Sequence, residues 1–237
     1  NVDFQRYNIY REPSLHAMND ASNSWPQWRD VAISPERIEE ISDDLLDKMK
    51  GGGVYSYSPA KTHVSFNLLE NLGLSDRKKT LVAYTSSLDE QMAAELRYEA
   101  LQDILPVSSQ PFKDQIQWLQ SLVSYCQSQS DLQLIVRVHP REGKNHRDSR
   151  RSDHLKKLHH TFDTIDGNCR FIWPEDPTSS YDLAEVADLA LTSWSNIAIE
   201  LARFGIPVLA AFNRWYAPCP IDDFIAWEAA ETDYYKT

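Results

Sequence analysis

Three short stretches of this chain carry side chains whose types and spacing suit the binding of a phosphate ester. They are Thr85-Ser86-Ser87-Leu88-Asp89-Glu90, Arg137-Val138-His139-Pro140-Arg141-Glu142, and Thr192-Ser193-Trp194-Ser195-Asn196 with Glu200 beyond it. Each follows a short apolar run. Hydroxyls and free amides at the start of a helix suit phosphate or sugar oxygens, which gives Ser86 and Ser87 a binding role. The plainer role for Ser87 and Glu90 is a capping box. Pro140 forces the chain out of its strand just after His139. Alternation puts Arg137 and His139 on one side, a cationic pair suited to a leaving phosphate, with His139 giving a hydrogen bond or a proton. Arg141 adds charge beside them, and a structural histidine is the competing role. Ser193 or Ser195 caps the next helix, whose amides then face the site. Glu200 lies one turn beyond Asn196 and on the same face, where a carboxylate can hold two ribose hydroxyls.

The elements that must position these groups are legible from periodicity. Short apolar runs at 81–84, 132–138, 170–173, 189–191 and 207–211 read as buried strands. Between them, helical patterns cover 89–103, 112–127, 154–162, 181–186 and 197–204, with Gly205 as a left-handed stop. Strands alternating with helices imply an α/β, Rossmann-like parallel sheet with helices on both faces. Ligands of such sheets bind beyond the carboxyl ends of the strands, where the three stretches lie. The composition changes near residue 78, dividing the chain into 1–78, a helical appendage or linker, and 79–237, the sheet domain. In the appendage, Ser34-Pro35-Glu36 starts a helix that Ile38, Ile41, Leu45 and Met49 continue at helical spacing, and Gly51-Gly52-Gly53 ends it. Trp25 and Trp28 read as anchors on a neighbour or as core.

Composition narrows the function classes. The chain has 237 residues, 42% of them apolar, enough for a full core. A net charge of −11 argues against nucleic acid as the main partner. The charge is uneven: eight Lys or Arg face three acids between positions 137 and 157. That segment suits a small anion or an anionic lipid surface, or is a solvated face. No run of about 18 apolar residues exists to span a membrane, and the first residues lack the layout of a signal peptide. Cys126, Cys169 and Cys219 are scattered and odd in number, so buried thiols in a reducing cytoplasm are expected. There is no P-loop, no dinucleotide fingerprint, no metal triad and no Asp-x-Asp at a strand end, so no metal or cofactor is expected.

The pieces TSSLDE, RVHPRE and SSYDLAEVADLALTSWSNIAIELARFGIPVLA, in that order, resemble the C-terminal domain of GT-B glycosyltransferases. They resemble in particular the bacterial capsule and surface-polysaccharide transferases, including those using CMP-linked sugars such as Kdo or sialic acid. The resemblance covers roughly residues 79–212. It implies a metal-independent glycosyltransferase with a nucleotide-sugar donor, CMP-linked donors among the candidates, and a saccharide acceptor. Cysteine usage and the basic segment lead to the expectation of a protein in the cytoplasm or peripherally on the inner face of the cell membrane. His139 would contact the donor phosphate and act as the catalytic residue. Ser193, Ser195 and Asn196 would bind phosphate oxygens, Glu200 would take the ribose, and Ser180 and Tyr181 would border the nucleotide pocket. Two departures stand beside the resemblance. Complete GT-B enzymes have two Rossmann-like domains and this chain has room for one. The family's acidic-acidic-Gly base motif is not matched, because Gln91 follows Asp89-Glu90. Alternatives are a nucleotide-sugar epimerase, a polyol-phosphate transferase, or a non-catalytic module binding a nucleotide or a partner.

Overall fold

The computed structural model describes residues 30–50, 57–61, 67–90, 92, 96, 111–144, 149–193, 195–212, 225–227 and 234–235. Six strands form one sheet: β1 (Lys79–Tyr84), β2 (Leu132–Arg137), β3 (Cys169–Ile172), β4 (Leu189–Thr192), β5 (Val208–Ala210) and β6 (Ile225–Trp227). All five pairings are parallel, in the order β3-β2-β1-β4-β5-β6. This is the doubly wound order whose direction reverses between β1 and β4. Five of the strands match the apolar runs to within two residues at each end, whereas β6 was not anticipated. The helix expected over 89–103 lies mostly outside the described residues, as do Cys219, Trp25, Trp28 and the Gly51-Gly52-Gly53 stop.

Period-two alternation sorts the strand residues onto two faces. Ala83, Leu134, Val136, Leu191 and Leu209 form one cluster with Trp118, Leu122 and Cys126 of α3 (Gln115–Ser128) and Leu155, Leu158 and Phe162 of α4 (Asp153–Phe162). Val82, Tyr84, Ile135, Ile172, Ala190 and Val208 form the other with Leu183 of α5 (Ser180–Ala184) and Ala198 and Leu201 of α6 (Ile197–Arg203). Helices thus cover both faces. Cys126 and Cys169 are free buried thiols, and burial pushes Cys126 up to about 12 and Cys169 up to about 11. Gly205 ends α6 with φ 76°, the left-handed stop its position suggests.

The chain before β1 is in part integral to the sheet. Leu68 and Leu69 of a short helix α2 (Leu68–Asn71), with Leu72 and Leu74, pack against the second cluster. Gln133 of β2 donates to Ser75 O and accepts from Ser75 N. Arg170 of β3 donates to Leu72 O at 2.6 Å. Residues 68–75 thus pack with the sheet although they precede position 79. By contrast α1, the helix Pro35–Met49 that precedes α2, is capped by Ser34 as its sequence suggests but buries no residue. Its Ile38 and Ile41 are 53% and 41% exposed rather than packed on a neighbour.

Candidate functional site

The carboxyl ends of β1, β2 and β4 bring the three stretches to one edge of the sheet. Tyr84 pairs in register with Arg137 and with Thr192, and Arg137 with Ile172, so these side chains form a row on one face. Arg137 is 1% exposed. Its Nη1 donates to Trp173 O at 2.6 Å, while Nε and Nη2 have no hydrogen-bond partner among the described residues. A buried, unsatisfied polar group costs about 1–3 kcal/mol, more when charged. Burial lowers the Arg137 guanidinium to about 10, opposed by Asp176 and by Tyr84, so it stays charged at neutral pH. Thr192 Oγ1, in the same row, also lacks a partner among the described residues.

His139 leaves the strand as expected. Its backbone N–H donates to Thr85 Oγ1 at 2.8 Å, which ties the ends of β1 and β2 together. Pro140 then opens a 3-10 turn, Pro140–Glu142, and His139 Nδ1 accepts from the Arg141 backbone N–H at 3.2 Å. With Nδ1 as acceptor, the neutral ring carries its proton on Nε2; this tautomer is assigned from the bonding pattern. Burial, then Arg137 and Arg141, push the imidazole down to about 4, against the opposing charge of Asp89. His139 is therefore neutral at neutral pH, and the expected cationic Arg137–His139 pair is corrected to a buried arginine beside a neutral hydrogen-bond donor.

Arg141 is bracketed by acids. Its guanidinium reaches Asp89 at 2.8 Å, Glu90 at 2.9 Å and the Tyr57 hydroxyl at 2.9 Å, and lies 5.6 Å from the Tyr57 ring centroid. Burial opposes it, but Arg141 holds the Asp89 carboxyl below its usual range. One cation between two carboxylates adds no net positive charge to the edge. Glu90 is thus engaged by Arg141, and the helix start takes a different cap: buried Glu142 accepts from Leu88 N–H at 2.7 Å. Its second oxygen accepts from the Ser152 hydroxyl, which links the helix start to α4. Ser86 and Ser87 are both buried. The Ser86 N–H donates to Gln115 Oε1 at 2.7 Å and Gln115 Nε2 donates to Ser86 O at 3.1 Å, so its backbone is already held.

After β4, Ser193 is fully buried and its hydroxyl has no partner among the described residues. It follows Thr192 directly, so alternation turns it to the opposite face of β4. The N-cap of α6 is Asn196, without a side-chain cap bond, rather than Ser193 or Ser195. Ser195 O accepts from Ala198 N–H at 3.0 Å. Glu200 is held on two sides: the Tyr181 hydroxyl donates to Oε2 at 2.8 Å and Lys48 Nζ lies 3.2 Å from Oε1. Burial, then Glu200, raise the Tyr181 phenol, which stays protonated and donating. The Ser180 carbonyl accepts from the Tyr84 hydroxyl at 3.1 Å. The capping box of this edge is Ser179 with Asp182, at the start of α5.

Sequence reading gave no role to Gln115, Ser179 or Tyr57, and none of their own to Thr85 and Glu142, although both lie in the stretches it singled out. Only Ser179, three residues before Asp182, carried a local signal. The basic segment is also less open than its composition suggests. Arg137 is buried, Arg141 is bracketed by acids, Arg151 pairs with Glu175 and Lys156 with Asp153. Among the described residues no group of three or more His, Cys, Asp or Glu could hold a metal ion, and no helix is long and apolar enough to cross a membrane.

No protein-family model matches the chain, and no curated protein matches it. Among solved structures, it is similar to the Thermosulfurimonas dismutans KpsC beta Kdo 2,4 transferase at 13% identity and a TM-score of 0.44, over 76% of this chain and 46% of that one. It is similar to a putative UDP-N-acetylglucosamine 2-epimerase from Listeria monocytogenes at 12% identity and a TM-score of 0.46, over 81% and 41%. It is also similar to the wall teichoic acid polymerase TagF at 11% identity and a TM-score of 0.41, over 73% and 37%. The chain spans less than half the length of each. Similarity this distant carries no weight for function. The fold class rests on the sheet itself: the chain is an α/β, Rossmann-like parallel sheet with helices on both faces.

Proposed function

We propose that this chain is the donor-binding part of a metal-independent, GT-B-type glycosyltransferase. It would move a sugar from a nucleotide-activated donor to a saccharide acceptor in surface or capsular polysaccharide assembly. One observation carries this reading: buried Arg137, with two nitrogens unpartnered among the described residues, stands beside neutral His139 at the carboxyl edge of the sheet. A buried guanidinium with free donors is most stable opposite an anion. The breaking sugar–phosphate bond leaves negative charge on the departing phosphate. Arg137 supplies a fixed positive charge there and His139 Nε2–H a fixed hydrogen bond, so catalysis is positioning and electrostatic stabilisation. In the ligand-free protein His139 is held near 4, so it meets the donor as a neutral hydrogen-bond donor. Its role is to bind the leaving group.

Glu200, oriented by Tyr181, is the carboxylate for the ribose hydroxyls, and Ser180, Ser195 and Asn196 border the nucleotide. The test is isothermal titration of CMP, CDP, UDP and GDP into the protein, with and without a chelator. At least one should bind equally well in both. Loss of binding in the chelator defeats metal independence, and no binding of any nucleotide defeats the donor-site reading.

A further inference from the structure

Residues 57–61 and the last turn of the Pro35–Met49 helix touch the carboxyl edge of the sheet at the groups the donor reading uses. Lys48 Nζ lies 3.2 Å from Glu200 Oε1. The Tyr57 hydroxyl accepts from Arg141 at 2.9 Å, and its ring centroid is 5.8 Å from that of His139. Ser58 Oγ accepts from the Ser180 N–H at 2.9 Å and lies 3.3 Å from Ser179 Oγ. Lys61 pairs with Glu185 just beyond α5. The Lys61 N–H donates to Met49 O at 2.7 Å, which joins these residues to the end of the helix that carries Lys48.

These contacts are polar and their attachment is light. The Pro35–Met49 helix buries no residue, and residues 57–61 include none that is fully buried. An element with few buried apolar contacts and partly exposed polar links opens at low free-energy cost. We propose that Lys48 and residues 57–61 form a strap that closes the nucleotide site in the ligand-free protein and that the donor displaces, a proposal that rests on the donor-site reading above. Ribose hydroxyls take the place of Lys48 at Glu200, and a phosphate reaching His139 moves Tyr57 aside. The closed strap lowers apparent affinity in proportion to the time it spends shut.

The test uses Lys48→Met and Ser58→Ala, singly and together, with Lys50→Met, at the C-cap of the same helix, as the control. Each latch is one partly exposed ion pair or hydrogen bond. Its removal should tighten binding of whichever of CMP, CDP, UDP or GDP the wild type binds, by about two- to five-fold. Equal or weaker binding in the double variant overturns the strap, since residues that help hold the nucleotide would lose affinity. A second readout needs no ligand. Lys48→Met leaves Ser58 and Ser180 intact, yet a strap that opens as one unit should then expose the Ser180 amide to hydrogen exchange about two- to five-fold faster, with strand amides unchanged. Unchanged exchange at Ser180 overturns the strap. A protein that binds none of the four nucleotides defeats the donor reading, and the exchange result then decides the strap alone.

Discussion

Replacing His139 with alanine separates a phosphate-binding histidine from a structural one. Two bonds fix the residue: its N–H to Thr85 Oγ1 at 2.8 Å, and Nδ1 from Arg141 N–H at 3.2 Å. The first belongs to the backbone and survives the substitution, so the junction of β1 and β2 keeps its tie. The second is lost, a neutral hydrogen bond worth about 0.5–1.5 kcal/mol of stability. The Nε2–H bond to a charged phosphate is worth about 1.5–3 kcal/mol, or about a 10- to 150-fold rise in Kd. The nucleoside, which lacks the phosphate, should lose almost nothing. Titration calorimetry with a nucleotide and its nucleoside reads both. Equal losses for the two ligands would refute the assignment, because a loosened loop harms them alike.

Arg137→Met should leave the melting temperature unchanged or raised, since it removes a buried charge with unsatisfied donors, while weakening nucleotide binding at least about tenfold. A destabilised variant with intact affinity would make Arg137 structural. Ser179→Ala breaks the capping box of α5 and should cost about 1 kcal/mol in denaturant unfolding, whereas Ser87→Ala should lose no such cap, because Glu142 holds the Leu88 amide there. The unfolded chain binds a proton at His139 near pH 6.5 and the folded chain only near 4, so stability is full above about 6.5 and falls as pH drops toward 4. The loss should be about 2–3 kcal/mol and smaller in His139→Gln, and identical acid profiles for the two proteins would contradict the depressed value.

What the sequence determined by itself is local. The short apolar runs at 132–138 and 189–191 declare strands, the helical spacing from Pro35 declares a helix, and Pro140 and Gly205 turn the chain where they stand because φ is constrained there or free. Alternating strands and helices then imply a parallel sheet, and its carboxyl edge points to the three polar stretches. The tertiary structure alone decided which groups meet. Ser87 and Glu90 have capping-box spacing, but Arg141 takes Glu90 and Glu142, 54 positions away, takes the Leu88 amide. The charge of His139 also depends on tertiary context: desolvation and two arginines set it, and none of these is encoded in the His-Pro dipeptide. Lys48, Tyr57 and Ser58 gave no local sign of reaching Glu200, Arg141 and Ser180. Propensity and periodicity act over a few residues, whereas hydrogen bonds and ion pairs between distant segments exist only once packing has brought them within about 3 Å.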